Sequence, residues 1–310
     1  MDALADLLSG PRAKGAFLVR SIMTAPWSMR IEDRAPLTVF AVVHGAAWVR
    51  PDDGAAIELR AGDVVLARGP DPYLVADDPA TPPQVVIGPG QECRTLYGEP
   101  LQEKWRLGVR SWGNSRNGET VLLTGTYQMA GEVSRRVLDS LPTLAVLRAA
   151  EWNCPVLPLL EAEIVKDDPG QEVVLDRLLD LLTISALRAW FARADADVPG
   201  WYRADADSLV GHALRLIHHN PAHPWTVAAL AAGCGVSRAV LARRFADLVG
   251  EPPMSYLTGW RLAVAADLLQ EGDETLDAVA RRVGYGSGFA LSAAFKRVRG
   301  VRPSASRLAG

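Results

Sequence analysis

The side chains whose chemistry is easiest to name are arginines. Arg238, Arg243 and Arg244 fall on one short stretch, and Lys296, Arg297, Arg299 and Arg302 fall on another. A guanidinium can donate two hydrogen bonds to the acceptors of a guanine edge, and any of these cations can neutralise a phosphate. The histidines offer less. A metal-holding β barrel needs a His-x-His pair, a carboxylate and a later histidine converging on one ion. His44 is the one histidine in the region that reads as β; His212, His218, His219 and His223 come much later. His219 and His223 are four apart, but Pro221 lies between them and breaks a helical ligand face, so surface positions are expected. Cys93, Cys154 and Cys234 are odd in number, far apart and without zinc spacing or a disulfide framework. Cys93 could sense an oxidant, but nothing near it in sequence fixes a thiolate. The run Gly284-Tyr-Gly-Ser-Gly288 misses the Gly-x-Ser-x-Gly pattern of a nucleophile elbow. No catalytic residue, metal site or cofactor is therefore expected.

The two cationic stretches belong to one unit written twice between Trp225 and Arg307. Leu230 matches Val279 and Gly235 matches Gly284, an offset of 49. Past the turn, Ser237 matches Ser287, Leu241 matches Leu291, Phe245 matches Phe295, Gly250 matches Gly300 and Pro253 matches Pro303, an offset of 50. The extra residue, Gly286, falls in the turn, where insertion costs least. Each copy predicts a short helix, a glycine-containing turn and a second helix. Thr226 can cap the first helix over 227–233, and Gly235 can supply the turn because glycine tolerates positive φ. Ser237 and Ser287 can cap the second helices. Leu241 with Phe245, and Leu291 with Phe295, lie four apart on inward faces. This is the helix-turn-helix layout, whose second helix can lie in a DNA major groove.

At these residues the chain resembles the AraC/XylS family of bacterial transcription regulators. Ala280, Gly284-Tyr285-Gly286-Ser287, Phe295-Lys296-Arg297 and Gly300-Val301-Arg302-Pro303 carry the likeness. Between the copies, Pro253-Met-Ser-Tyr256-Leu257 and Trp260-Arg261-Leu262, with Ala266 and Leu268-Leu269, are similar to that family's linker helix, expected over about 253–270. The resemblance implies two units entering successive major-groove segments roughly one helical turn, ~34 Å, apart. Its partners would be double-stranded DNA and RNA polymerase, its usual output activation, and its place the cytoplasm. Ala239, Ala242 and Arg243 would occupy outward base-reading positions, with Arg238 and Arg244 beside them. On the second copy the outward positions would be Gly288, Phe289, Ser292, Ala293 and Lys296. Glycine and alanine offer no hydrogen bonds, so that copy is expected to contribute phosphate contacts and shape more than base reading. Phe289 could touch thymine methyls or could be buried. Ser237 and Ser287 are helix caps before they are DNA contacts.

The chain has 310 residues, a net charge of −3 and 49% hydrophobic residues, enough for two ordinary cores. The charge is unevenly divided. From Asp205 onward there are 12 Lys and Arg against 9 Asp and Glu, leaving the acidic excess to the preceding part. A modestly basic module on an acidic body fits a DNA reader with a sensor attached, although charge alone fits any soluble protein as well. No apolar run is long enough to span a membrane, and Met-Asp-Ala-Leu-Ala-Asp lacks the start of a signal peptide.

Residues to about 125 read as short strands: Leu37 to His44, Ala46 to Arg50, Ala56 to Leu59, Val64 to Ala67, Tyr73 to Val75, Val85 to Ile87 and Val121 to Gly125. Their spacing suggests a small barrel or jelly roll. Pro26-Trp27, His44-Gly45 and Leu59-Arg-Ala-Gly-Asp63-Val-Val-Leu66 resemble the cupin sensor domain of one AraC-type subgroup. Short helices are expected over Met1 to Ser9 and Gly131 to Leu141, and a long one over Gly170 to Arg193. The broad apolar face of the long helix would cover either the β body or a second subunit. The fold expected is α+β: a cupin-like β barrel at 1–127, a helical connector and dimerisation region at 128–200, and an all-α double helix-turn-helix module at 201–310.

An apolar effector pocket inside the barrel follows as the default, with Trp27, His44, Trp48 and Tyr73 as candidate lining, each also a candidate for plain core packing. The function expected is a sequence-specific DNA-binding regulator, acting as a homodimer, whose β domain senses a small molecule or a redox change. Two alternatives stay open. One is a cupin enzyme with an appended DNA-binding module; the other is a constitutive DNA-binding protein whose β domain only dimerises.

Overall fold

The computed structural model describes residues 17–127, 135, 137–193, 198–272, 274–301 and 303. The helix expected over Met1 to Ser9, and residues 131–134 and 136 of that expected over Gly131 to Leu141, lie outside them. The chain divides into two compact units, one made chiefly of 12–129 and 141–196 and the other chiefly of 197–310.

The first unit is a two-sheet β body. One sheet runs in the order β10-β11-β1-β12-β3-β6-β13 and the other β5-β4-β7-β2-β8-β9. The strands are β1 (Phe17–Met23), β2 (Ser28–Ile31), β3 (Leu37–His44), β4 (Ala46–Pro51), β5 (Ile57–Arg60), β6 (Val64–Arg68), β7 (Tyr73–Ala76), β8 (Val85–Gly88), β9 (Glu92–Thr95), β10 (Arg106–Gly108), β11 (Ser111–Trp112), β12 (Thr120–Tyr127) and β13 (Leu144–Leu147). Period-2 alternation turns Phe40, Val42, Val49, Leu59, Val65, Val75, Val85 and Leu122 into one shared core with Met23 and Trp27. Asp63 locks the β5–β6 corner. Its Oδ1 accepts from the Ala149 N–H at 2.8 Å and its Oδ2 from the Arg148 guanidinium at 2.9 Å, just beyond β13.

Two helices complete this unit, α1 (Leu157–Ile164) and α2 (Gln171–Phe191). The long apolar helix therefore lies against the β body. A Cβ at Gly125 would stand 2.3 Å from Leu179 Cδ1, so the missing side chain on β12 is what lets α2 approach. Tyr127 Oη and Thr183 Oγ1 meet at 2.8 Å along the same seam. Val173, Val174 and Leu181 on the other side of α2 remain exposed.

The second unit is all helical among the described residues. Its helices are α3 (Gly200–Asp205), α4 (Val210–His219), α5 (Val227–Gly233), α6 (Arg238–Val249), α7 (Pro253–Glu271), α8 (Leu276–Arg282) and α9 (Gly288–Arg299). The six-residue α3 falls at the boundary expected between the connector and the helix-turn-helix module; a helix so short shows too little periodicity to be seen there. The turns Gly235 and Gly284 have φ of 71° and 83°, the left-handed region the repeat requires. Leu262, Leu269, Val279, Leu291 and Phe295 form the core of the second copy. In the first, Phe245 meets Tyr256 edge-on at 5.7 Å, and the Tyr256 hydroxyl lies 2.8 Å from His218 Nε2. His218 is thus a buried packing residue joining α4 to α7, whereas His219 and His223 are exposed.

Candidate nucleic-acid interface and interior cavity

Hydroxyl caps set the four helices of the repeat. Thr226, Ser237, Thr275 and Ser287 accept from the N–H groups of Ala229, Val240, Ala278 and Ala290 at 3.0, 3.3, 3.3 and 3.2 Å. Each satisfies one of the unpaired donors at a helix start. Ser237 and Ser287 therefore spend a lone pair on their own helices. The Thr275 cap was missed in sequence, although it occupies the place of Thr226 one repeat later.

On α6, Leu241 and Phe245 are fully buried, which turns Arg238, Ala239 and Arg243 to solvent and leaves Ala242 half-buried. Arg244 is held elsewhere. Its Nε and Nη2 donate to Asp207 Oδ2 at 3.1 and 2.5 Å, and these bonds hold the Asp207 carboxyl below the usual carboxylate range. Asp207 Oδ1 meanwhile accepts from the Leu209 and Val210 N–H groups at the start of α4. Arg244 thus ties α6 to the start of α4, while Arg243 beside it is also exposed.

On α9, Leu291 and Phe295 are buried, Ser292 is half-buried, Ala293 and Lys296 are exposed, and Phe289 is 85% exposed. The choice left open for Phe289 resolves toward solvent. Gly288, expected on the outward face, is buried instead. Its N–H donates to Asp277 Oδ1 at 2.6 Å, and a Cβ there would crowd Leu276 and Asp277 at 3.0–3.1 Å. Its glycine identity is a matter of close packing between α8 and α9. Lys296, Arg297 and Arg299 fall in the last turn of α9, where cations are favoured by the helix dipole. Arg302 lies outside the described residues.

Arg261 of α7 fixes the entry loop. It donates to the carbonyls of Pro221 and His223 at 2.6 and 2.7 Å and sits 5.9 Å from the Tyr285 ring centroid. One side chain of the linker helix thereby holds both the start of the first copy and the turn of the second.

The sequence carries the same organisation into its relatives. A cupin family model matches residues 2–192, and a helix-turn-helix domain model matches residues 230–309. A putative AraC-like transcription regulator of Streptomyces antibioticus is 31% identical over 311 residues, spanning 98% of this chain and 97% of that one. The chain belongs to the AraC-like transcription regulators. The HTH-type transcriptional regulator AlkR of Acinetobacter baylyi is 27% identical, over 96% of each protein. The DNA-binding domain of AdpA, solved in complex with a target DNA, is 35% identical over 34% of this chain and 93% of that domain, with a TM-score of 0.31. This AraC-type regulator is a DNA-binding protein with a cupin N-terminal domain, and the repeat is its DNA-binding module. Among the described residues no helix is long and apolar enough to cross a membrane.

The cupin domain of the regulator holds a partly open cavity of about 130 Å³ between its sheets. Tyr73 lines it. Of the other residues expected there, Trp27 is sealed into the core, Trp48 is half-buried on β4 and His44 is exposed at the end of β3; none of these three forms the wall. The wall instead uses inward positions of β1, β2, β3, β8 and β12, with Asp33, Gln91, Cys93 and Trp112. The sequence had shown no pattern for β1, β2, β9 and β11, so the residues on them were not assigned to a pocket. Burial pushes the Cys93 thiol up to about 11, away from thiolate character. No cluster of three or more His, Cys, Asp or Glu able to hold a metal occurs among the described residues, and exposed His44 does not fit a cupin metal set.

Proposed function

We propose that this regulator reads a two-part operator and that its cupin domain senses a small molecule bound between the two sheets. The cavity is the observation that carries the sensor half, since a well-packed domain leaves few voids of that size. A redox signal is the poorer reading, because burial holds Cys93 as a thiol. The names of the relatives support regulation over turnover. Base reading rests on Arg243 in the first copy, with Phe289 of the second against thymine methyls and Lys296 on phosphate.

The chain works as a homodimer in this reading. Residues 1–127 are the sensor, 128–200 the connector and dimerising region, and 201–310 the reader. An effector biases the sensor between two arrangements and so changes how the readers of a dimer meet their half-sites. The output is activation through contact with RNA polymerase.

Selection of genomic fragments by the purified full chain, at stated salt, tests the reader. A recurring two-part site with half-sites about one helical turn apart is expected. Binding that is salt-sensitive but blind to sequence would remove the case for a specific reader.

A further inference from the structure

The inner faces of the two sheets change character along their length. On β3 the inward residues run Val42, Phe40, Thr38; on β12 they run Leu122, Thr124, Thr126. Thr38 and Thr126 face each other in register, with their Oγ1 atoms 3.5 Å apart. Thr38, Thr126 and Ser21 are all more than nine-tenths buried. A domain with no use for hydroxyls here would gain stability from valine or alanine, because a buried polar group costs free energy unless it is well bonded.

The same end of the interior holds a carboxylate. Asp33 is 9% exposed; its Oδ2 accepts from Gln91 Nε2 at 2.7 Å and its Oδ1 from the Ala35 N–H at 3.1 Å. A carboxylate has about four acceptor sites, so two remain. The Tyr73 hydroxyl is kept protonated by its burial and by the nearby Asp33 charge. Trp112, also in the wall and 9% exposed, has an indole N–H buried without an acceptor. Among the described residues, no lysine, arginine or histidine lines the cavity.

We infer that the cavity takes an uncharged, hydroxyl-bearing ligand about the size of a benzene ring, its hydroxyl donating to Asp33 at the polar end. The inference rests on the sensor reading above and names the ligand class that reading leaves open. Size follows from volume: an engineered apolar cavity of about 150 Å³ holds benzene. Charge follows from the wall. A ligand carboxylate or phosphate would meet Asp33 with no cation in the described wall to offset the repulsion. An ammonium would have to shed its hydration for a carboxylate that already accepts two bonds. A hydroxyl can donate to Asp33 and accept from an N–H or a neighbouring hydroxyl at once. The methionine, isoleucine and aromatic wall takes the apolar remainder.

The test uses the full-length protein and four probes sharing one skeleton: benzyl alcohol, toluene, benzylamine and benzoate, titrated by calorimetry or ligand-observed NMR. Benzyl alcohol is expected to bind at least tenfold more tightly than each of the other three. Thr126→Val should weaken benzyl alcohol several-fold and leave toluene unchanged. Asp33→Asn should narrow the gap between alcohol and benzoate at least fivefold. Toluene, benzylamine or benzoate binding as well as the alcohol would overturn the ligand class while leaving an occupied cavity. No saturable binding by any of the four would overturn the class and the cavity's role together. DNA affinity measured in the same titrations separates the two readings: alcohol binding that leaves DNA affinity unaltered upholds the ligand class and sinks the sensor.

Discussion

The two helix-turn-helix copies share a scaffold and differ in almost everything they show to solvent. Both bury a leucine and a phenylalanine from the second helix, cap that helix with serine and stop it at glycine. Yet the outward row on α6 is Ala239, Ala242 and Arg243, whereas on α9 it is Phe289, Ser292, Ala293 and Lys296. The first row sets one guanidinium beside two alanines, and the second sets a phenyl ring and a lysine around a serine and an alanine. Small neighbours would allow a helix to seat deeply in a groove, bringing Arg243 or Phe289 toward base edges in the reading proposed above. The two copies agree at the positions that fold the unit and differ at those that face solvent. The first copy would therefore contribute hydrogen-bonded readout and the second apolar contact plus phosphate charge.

The severest test of that comparison concerns the shared half. Phe245→Ala and Phe295→Ala each remove a ring with no exposed surface and should each cost about 3–5 kcal/mol of stability. Urea unfolding of the full chain checks this. A large cost in one copy and a negligible one in the other would show that the scaffolds are not equivalent.

The divergent half comes next. Arg243→Ala should weaken binding to the selected site by about 1–3 kcal/mol and relax one base preference. Equal loss on all sequences would make Arg243 a phosphate contact and erase the asymmetry. Phe289→Ala should cost less and act at a thymine-bearing position. Lys296→Ala should lower the salt dependence of binding by about one unit of slope while leaving base preference unaltered.

This division between scaffold and surface also explains what the sequence made legible. The repeat was readable because packing repeats: Leu241, Phe245, Leu291 and Phe295 recur at fixed spacing, and caps and glycines punctuate them. The strands from Leu37 to Ile87 were readable because they are apolar and bounded by turns. Strands β1, β2 and β9 were not. Arg20 interrupts β1, β2 has only four residues, and Glu92-Cys93-Arg94-Thr95 alternates polar with half-buried. Six residues of the cavity wall stand on those strands, so the cavity's chemistry stayed hidden although Tyr73 was named. Large aromatics such as Trp27 drew attention to the packed core, while the informative residues were Thr38, Thr126 and Asp33, small polar groups at inward positions. Gly288 misled for a related reason. Its place on the helix is outward by count, but α8 crosses it closely enough to bury it.

The caps give a smaller effect on which the two copies should agree. Ser237→Ala and Ser287→Ala should each cost about 1 kcal/mol of stability, since each removes the acceptor for one N–H at a helix start. Base preference on the selected site should not move. A change of preference in either variant would mean that the serine contacts DNA in addition to its cap.

The smallest expected effect separates the copies again, through acid. Arg244 is bonded to Asp207, whereas its counterpart in the second copy is the buried Ala294. At this position the first helix carries a side-chain tether and the second carries an alanine. The Arg244 hydrogen bonds hold the Asp207 carboxyl below its ordinary range, with help from the Val210 and Leu209 N–H groups. A carboxyl depressed in the folded state stabilises the fold above its unfolded value, near 3.9, and loses that contribution as pH falls through the folded value. Asp207→Asn keeps an acceptor for the start of α4 but removes the charge. The variant should therefore be slightly less stable than the parent at neutral pH, and the difference should shrink as pH drops below about 4. Urea midpoints across that range measure it, and amide exchange can locate it. Faster exchange in α6 than in α9 on acidification is expected if the tether matters. Equal exchange in both helices would show that Arg244 adds nothing to the first copy that Ala294 fails to give the second.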